Sequence, residues 1–253
     1  MKTVHALQIR LILVVCNESV NWLHNVTCPT HLRYTIYSKC SHFHIPQNKC
    51  FEHFHHKLRG NDQTYITDIL RRKVAGIPKP SLFAYVKGSM FSTRSEWLEL
   101  HNYLAHGNYL SEVGFLSFSN SRSVSQNWCG AALKLKKAYK AVSSFYAQAS
   151  IPCVTWTRLG SNFLVSGERL QQVPSNLLTR LLQTLASPGK GDPRNKRGWT
   201  FLERNWQSIL GCNGRHSEEH LCCRKDATAQ TSAPGLFESK MYNKSRGLLP
   251  CYK

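Results

Sequence analysis

The chain has 253 residues, 33 Lys and Arg against 14 Asp and Glu, a formal net charge of +19, ten Cys and twelve His. A chain of this length buries roughly 70–75% of its unfolded surface, enough for one generous domain or two small ones. Hydrophobic residues at 42% and charged residues at 19% exclude collagen, coiled coils, multi-span membrane proteins and wholly disordered chains. Few acids are left for carboxylate catalysis, and the surplus of bases favours polyanionic partners, whether nucleic acid or an acidic protein surface.

At the amino terminus, Leu11–Cys16 is the longest clean apolar run, and His5, Gln8 and Arg10 interrupt anything longer. A secretory leader needs about 7–15 apolar residues and a spanning helix about 20, so Ile9–Cys16 reads instead as a buried strand. Sequons occur at Asn17, Asn25 and Asn243, where composition alone yields about two. Their number is therefore no sign of secretion. The expected location is nuclear or cytoplasmic, with the cysteines as reduced thiols or metal ligands.

Residues 31–37 alternate Leu32, Tyr34 and Ile36 with Arg33, Thr35 and Tyr37, the period of a half-buried strand. Residues 62–75 read as a helix capped by Asn61 or Asp62, with Tyr65, Ile66, Ile69, Leu70 and Val74 on one face and Gly76 and Pro78 as the stop. Leu82–Val86 is a short strand. Thr93 and Glu96 form a capping box before Trp97, Leu100 and Leu104, and Val113–Phe118 is another strand. Ala131–Ala149 is the longest helical pattern, with Lys134, Lys136, Lys137 and Lys140 off its apolar face. Cys153–Thr157 and Asn162–Ser166 suggest a hairpin. Ser175 opens a Leu-rich helix whose L-x-x-L-L run is an ordinary core face. Residues 187–198 combine turn formers with Lys190, Arg194, Lys196 and Arg197, and a second capping box begins at Thr200.

These elements predict an α+β fold of irregularly mixed helices and short strands, poorly ordered in part, with a loose C-terminal tail. The expected divisions are a Cys/His-rich segment 1–58, a mixed core 59–187, a basic linker 188–198, and a short helix with flexible tail over 199–253.

Two groupings bear on chemistry. Seven of the twelve His fall between residues 24 and 56, together with Cys28, Cys40 and Cys50. Thiolate and imidazole are the ligands zinc prefers, so Cys40, Cys50, His53 and His56 are the candidate metal set and zinc the candidate cofactor. The spacing contains no Cys-x₂₋₄-Cys pair, however, and scattered surface imidazoles account for it equally well. Cys212, His216, His220 and Cys223 form a weaker cluster, interrupted by Asn213-Gly214.

The second grouping is charge. Net charge is +5 over residues 1–60, +2 over 61–129, +9 over 130–210 and +3 over 211–253. Lys134, Lys136, Lys137, Lys140, Arg194, Lys196 and Arg197 are thus the candidate nucleic-acid contacts. No G-x-S-x-G, P-loop or G-x-G-x-x-G occurs, and Cys129 ahead of the basic helix reads as a packing residue. The sequence predicts a basic protein with no enzymatic activity, no membrane span and no readable small-molecule substrate. One alternative is a zinc-stabilised nucleic-acid-binding protein that contacts polyanions through residues 130–210. A third reading is a secreted glycoprotein with Cys bridges, which a free amino terminus at Met1 with all thiols titratable would remove.

Overall fold

The computed structural model describes residues 6–40, 49–55, 60–106, 113–118, 124–125, 156–157 and 161–186, with Leu202, Trp206, Ile209, Leu210 and 222–224. Seven strands form one mixed sheet: β1 (Gln8–Val15), β2 (Leu32–Ser38), β3 (Phe51–His55), β4 (Ser81–Lys87), β5 (Val113–Ser117), β8 (Phe163–Ser166) and β9 (Cys222–Arg224). Two further short strands, β6 (Val124–Ser125) and β7 (Trp156–Thr157), pair with each other. The helices are α1 (Asn61–Ala75), α2 (Arg94–His106), α3 (Gly167–Gln172) and α4 (Ser175–Ala186). The fold is α+β.

The order β3-β2-β1-β4-β8-β5-β9 splits the sheet in two. Pairings β3-β2, β2-β1 and β1-β4 are parallel, and the rest are antiparallel. Parallel neighbours need crossovers, which run over the faces of the sheet and bury both of them. Sequence periodicity delivers this directly. Ile9, Leu11, Leu13 and Val15 of β1, Leu32, Tyr34 and Ile36 of β2, and Leu82, Ala84 and Val86 of β4 face one core. Trp22 and Leu23, from a 3₁₀ turn over Asn21–Asn25, and Trp97, Leu100 and Leu104 of α2 cover that core. Ile12, Val14, Tyr37, Phe83, Tyr85 and Phe163 face the opposite way, under Tyr65, Ile66 and Ile69 of α1 and Leu177, Leu178 and Leu181 of α4.

Several local expectations hold. In α2 the capping box closes both ways: Glu96 N donates to Thr93 Oγ1 (3.4 Å), and the Ser92 and Thr93 N–H groups donate to Glu96 Oε2 (3.2 Å each). Gly76 ends α1 at φ 88°, in the left-handed region that glycine enters without a Cβ penalty. Gly167 meets a different demand, because a Cβ there would sit 2.2 Å from Ser81 Oγ.

Other expectations are corrected. Strand β2 is buried on both faces, Thr35 and Tyr37 included, because α1 covers the side that alternation assigns to solvent. Gly60 occupies the cap of α1, and Asn61 Oδ1 instead accepts from Lys39 Nζ (2.5 Å). Val74 is 91% exposed, one step off the buried stripe. The expected hairpin does not form: Trp156–Thr157 pairs with Val124–Ser125, and β8 inserts between β4 and β5. Turn chemistry suggested a local partner, but the apolar run Phe163–Val165 buries more surface in the middle of the large sheet.

The thiol expectation is overturned for four of the ten cysteines. Cys16 pairs with Cys40 and Cys28 with Cys50, across sequence separations of 24 and 22. The first bond joins the carboxyl ends of β1 and β2, and the second ties their crossover to the start of β3. Strands from residues 1–58 and from 59–187 share one sheet through β1-β4. Leu202, Trp206, Ile209 and Leu210 enter the same core as the buried residues of α1 and α4. No helix of the described residues is long and apolar enough to cross a membrane.

Candidate anion-binding cleft

A cleft of about 480 Å³ opens between the C-terminal half of α1 and the sheet, within the range of about 300–1,000 Å³ usual for ligand sites. Arg10 of β1, Arg33 of β2, Glu52 and Phe54 of β3, Phe83 of β4, and Arg71 and Arg72 of α1 line it. Period-2 alternation places the strand residues. On β1 and β2 the positions facing α1 are Arg10, Ile12 and Val14, and Arg33, Thr35 and Tyr37, so each strand carries an arginine at its entrance and apolar or uncharged residues beyond. Parallel pairing then sets Arg10 and Arg33 directly opposite each other. Like charges at directly opposite positions repel, and the fold tolerates them here only with help.

Glu52 supplies part of that help. Its Oε2 accepts from Arg10 NH1 (2.6 Å) and from Thr35 Oγ1 (3.2 Å). Burial pushes the Glu52 carboxyl up, but the Arg10 hydrogen bond and charge, with Thr35 and Arg72, outweigh it and hold the group below its ordinary value. Arg33 NH1 donates to the Lys49 carbonyl (3.2 Å), which satisfies a donor without neutralising the charge.

The helix side is anchored by Asp68, which is 0% exposed. Oδ1 accepts from the Tyr37 hydroxyl (2.7 Å) and Arg71 NH2 (3.1 Å), while Oδ2 accepts from Arg72 Nε (2.6 Å) and the Tyr85 hydroxyl (3.0 Å). Arg72 NH2 reaches on to Thr35 Oγ1 (3.1 Å). Burial and the Asp68 charge raise Tyr37 and Tyr85 well above their ordinary values, so both keep the protons they donate. Phe54 carries the Arg71 guanidinium 4.3 Å above its ring, and Phe83 carries Arg72 at 5.3 Å. Arg72 is fixed structure, with its side chain 11% exposed, while Arg71 at 40% still presents donors to the cleft. Four guanidiniums against Glu52 and Asp68 make a cradle whose planar donor forks match sulfate, phosphate or carboxylate oxygens.

The carboxyl ends of the parallel strands offer a second grouping. Ser38 Oγ lies 2.8 Å from His53 Nε2 and 3.3 Å from His55 Nδ1, the separation of a nucleophile and its base. Ser38 is 0% exposed, however, so no substrate carbonyl reaches its oxygen. The contact orders the edge strand β3.

The candidate residues named from sequence divide as follows. Lys134, Lys136, Lys137, Lys140, Arg194, Lys196, Arg197 and His56 lie outside the described residues, as do Cys129, Cys212, His216 and His220. Cys40 and Cys50 are half-cystines, and a disulfide sulfur is no thiolate ligand, so this pair does not serve as the expected zinc ligands. His53 sits in β3 on Ser38. Among the described residues, no three His, Cys, Asp or Glu side chains converge to hold a metal ion. The cleft residues Arg10, Arg33 and Glu52 were missed. Their signal was Arg10 interrupting an apolar strand and Arg33 holding the same place in the next, but a shared register is needed to add them together.

No family model matches the chain, and neither a curated protein nor a solved structure matches it.

Proposed function

We propose that the protein is a binding protein without catalytic activity that takes a sulfate- or phosphate-bearing polyanion in the cleft formed by Arg10, Arg33 and Arg71. One observation carries the reading: Arg10 and Arg33 are set opposite each other in a parallel ladder, with Glu52 bonded to Arg10 alone of the two. An anion seated between them relieves the repulsion that the register imposes. The net charge of +19 adds long-range attraction for the same class of ligand, and the +9 over residues 130–210 extends it if those bases join the surface. The burial of Ser38 favours binding over hydrolysis at the other end of the strands.

The test is titration of the full chain with a sulfated glycosaminoglycan, with duplex DNA and with inorganic phosphate, at about 50 and 200 mM salt. Polyanion affinity is expected to fall steeply with salt, because each contact releases condensed counterions. Arg33→Ala is the informative variant, since Arg33 supports no carboxylate. A lost charge-assisted contact costs about 1.5–3 kcal/mol, roughly a 10- to 150-fold weakening. Stronger binding of DNA than of glycan assigns nucleic acid as the polyanion. Undiminished binding by Arg33→Ala, or no polyanion binding at low salt, refutes the cleft.

A further inference from the structure

We infer that Asn25 is an N-glycosylation site and that the chain matures in an oxidising, glycosylating compartment. The number of sequons carries no weight, but their placement does. Asn25 ends the 3₁₀ turn and is exposed, Val26 is buried at 8% with extended backbone (φ −91°, ψ 131°), and Thr27 is exposed. Residues i and i+2 of an extended segment share a side, so the Asn25 amide and the Thr27 hydroxyl face solvent together while Val26 pins the segment to the core. An acceptor amide and its hydroxyl partner need that arrangement to stay accessible. Asn17 is the poorer candidate, because Glu18 within its sequon folds back so that its Oε2 accepts from Cys16 N (2.5 Å).

The second, independent observation is the pair of disulfides. Cys28 follows Thr27 directly and is bonded to Cys50, and Cys16 is bonded to Cys40. Two disulfides within the first fifty residues belong to the compartments in which asparagine glycosylation occurs and are rare where thiols are kept reduced. In the transfer, Asn25 Nδ2 forms a bond to the anomeric carbon of a lipid-diphosphate-linked oligosaccharide. The bond from that carbon to the diphosphate oxygen breaks, the lipid diphosphate leaves with the electron pair, and the amide nitrogen loses one proton. The glycan then projects from the face covered by α2 and the 3₁₀ turn, opposite the face that carries the arginine cleft. It leaves the cleft open, so the inference stands whether or not the cleft binds anions.

The experiment is expression of the full chain behind a cleavable secretory leader in a eukaryotic cell, followed by peptide mapping after amidase deglycosylation in ¹⁸O-water. Asn25 is expected to be recovered as ¹⁸O-labelled Asp, with Cys16–Cys40 and Cys28–Cys50 linked peptides in the same digest. Asn25→Gln and Thr27→Ala should each remove the same single glycan, while Asn17→Gln leaves it in place. The peptide readout does not depend on folding, so a poorly folding variant leaves the result legible. Unmodified Asn25 in the secreted chain overturns the site. The chain made without a leader should keep these four thiols titratable and melt at lower temperature. Equal stability of the reduced cytosolic chain overturns the inferred compartment.

Discussion

Replacing Asp68 with Asn tests the polar network that holds α1 on the sheet. The carboxylate is 0% exposed and takes four hydrogen bonds, with one arginine and one tyrosine on each oxygen. An amide offers one acceptor oxygen and one NH₂, and in either orientation the NH₂ meets a guanidinium N–H that cannot accept. The two tyrosine hydroxyls can turn; the arginines cannot. The substitution also leaves Arg72, 11% exposed, without its counter-charge. Removing one partner of a buried ion pair costs about 3–5 kcal/mol. At about 2–4 °C per kcal/mol for a domain of this size, Tm should fall by about 6–20 °C. Thermal unfolding of Asp68→Asn followed by near-ultraviolet circular dichroism measures this. Tyr85→Phe serves as the internal scale, since it removes one hydroxyl donor to the carboxylate, worth about 1.5–3 kcal/mol. A Tm loss for Asp68→Asn no larger than for Tyr85→Phe would refute the network as the clamp on α1.

Further outcomes follow from the same geometry. Trp206 is 2% exposed, lies 5.2 Å from Phe163 between ring centroids, and donates Nε1–H to Asp62 Oδ1 (2.6 Å). Trp206→Ala should therefore cost about 3–5 kcal/mol in denaturant unfolding, and a neutral result would detach Trp206 from the core. Replacing Cys28 and Cys50 together by Ser opens a loop of separation 22, and chain entropy sets the loss at about 3 kcal/mol. An unchanged midpoint for the double variant would show that this bond is not formed. Burial, and secondarily His106, lower the His101 pKa from 6.5, where its Nδ1 meets the Tyr34 hydroxyl. The unfolded chain then takes up this proton more readily, so stability present above about pH 6.5 is lost on acidification, and His101→Gln should flatten the Tm profile between pH 7.5 and 5.5. Glu52, held below 4.5, adds stability above that value and loses it as pH falls through its folded pKa. Protonating Glu52 also removes the acid from the cleft wall, so the affinity of a sulfated glycan should rise as pH falls through that lowered folded pKa, and a fall would contradict the proposed role of Glu52.

The local periods of the chain were sufficient for most elements. β1 (Gln8–Val15) is a strand because the six consecutive apolar residues Leu11–Cys16 are too few for a core helix, and α2 starts where Thr93 and Glu96 can satisfy each other's backbone donors. Gly76 ends α1 because few other residues adopt φ 88° at low cost. Each of these is decided by atoms within a few residues of one another.

Everything that depends on register or on distant partners was decided by the tertiary structure. Alternation marks Arg10 and Arg33 as the same kind of position, but only parallel pairing makes them neighbours. Cysteine count cannot fix connectivity, and Cys16–Cys40 and Cys28–Cys50 follow from where β1, β2 and the start of β3 end up. β8 left its expected hairpin partner because a long-range sheet buried more of Phe163, Leu164 and Val165 than a local turn could. Sequence determines which faces are apolar and where the backbone can bend. Apposition across the chain determines which charges meet, and in this protein the candidate chemistry lies there.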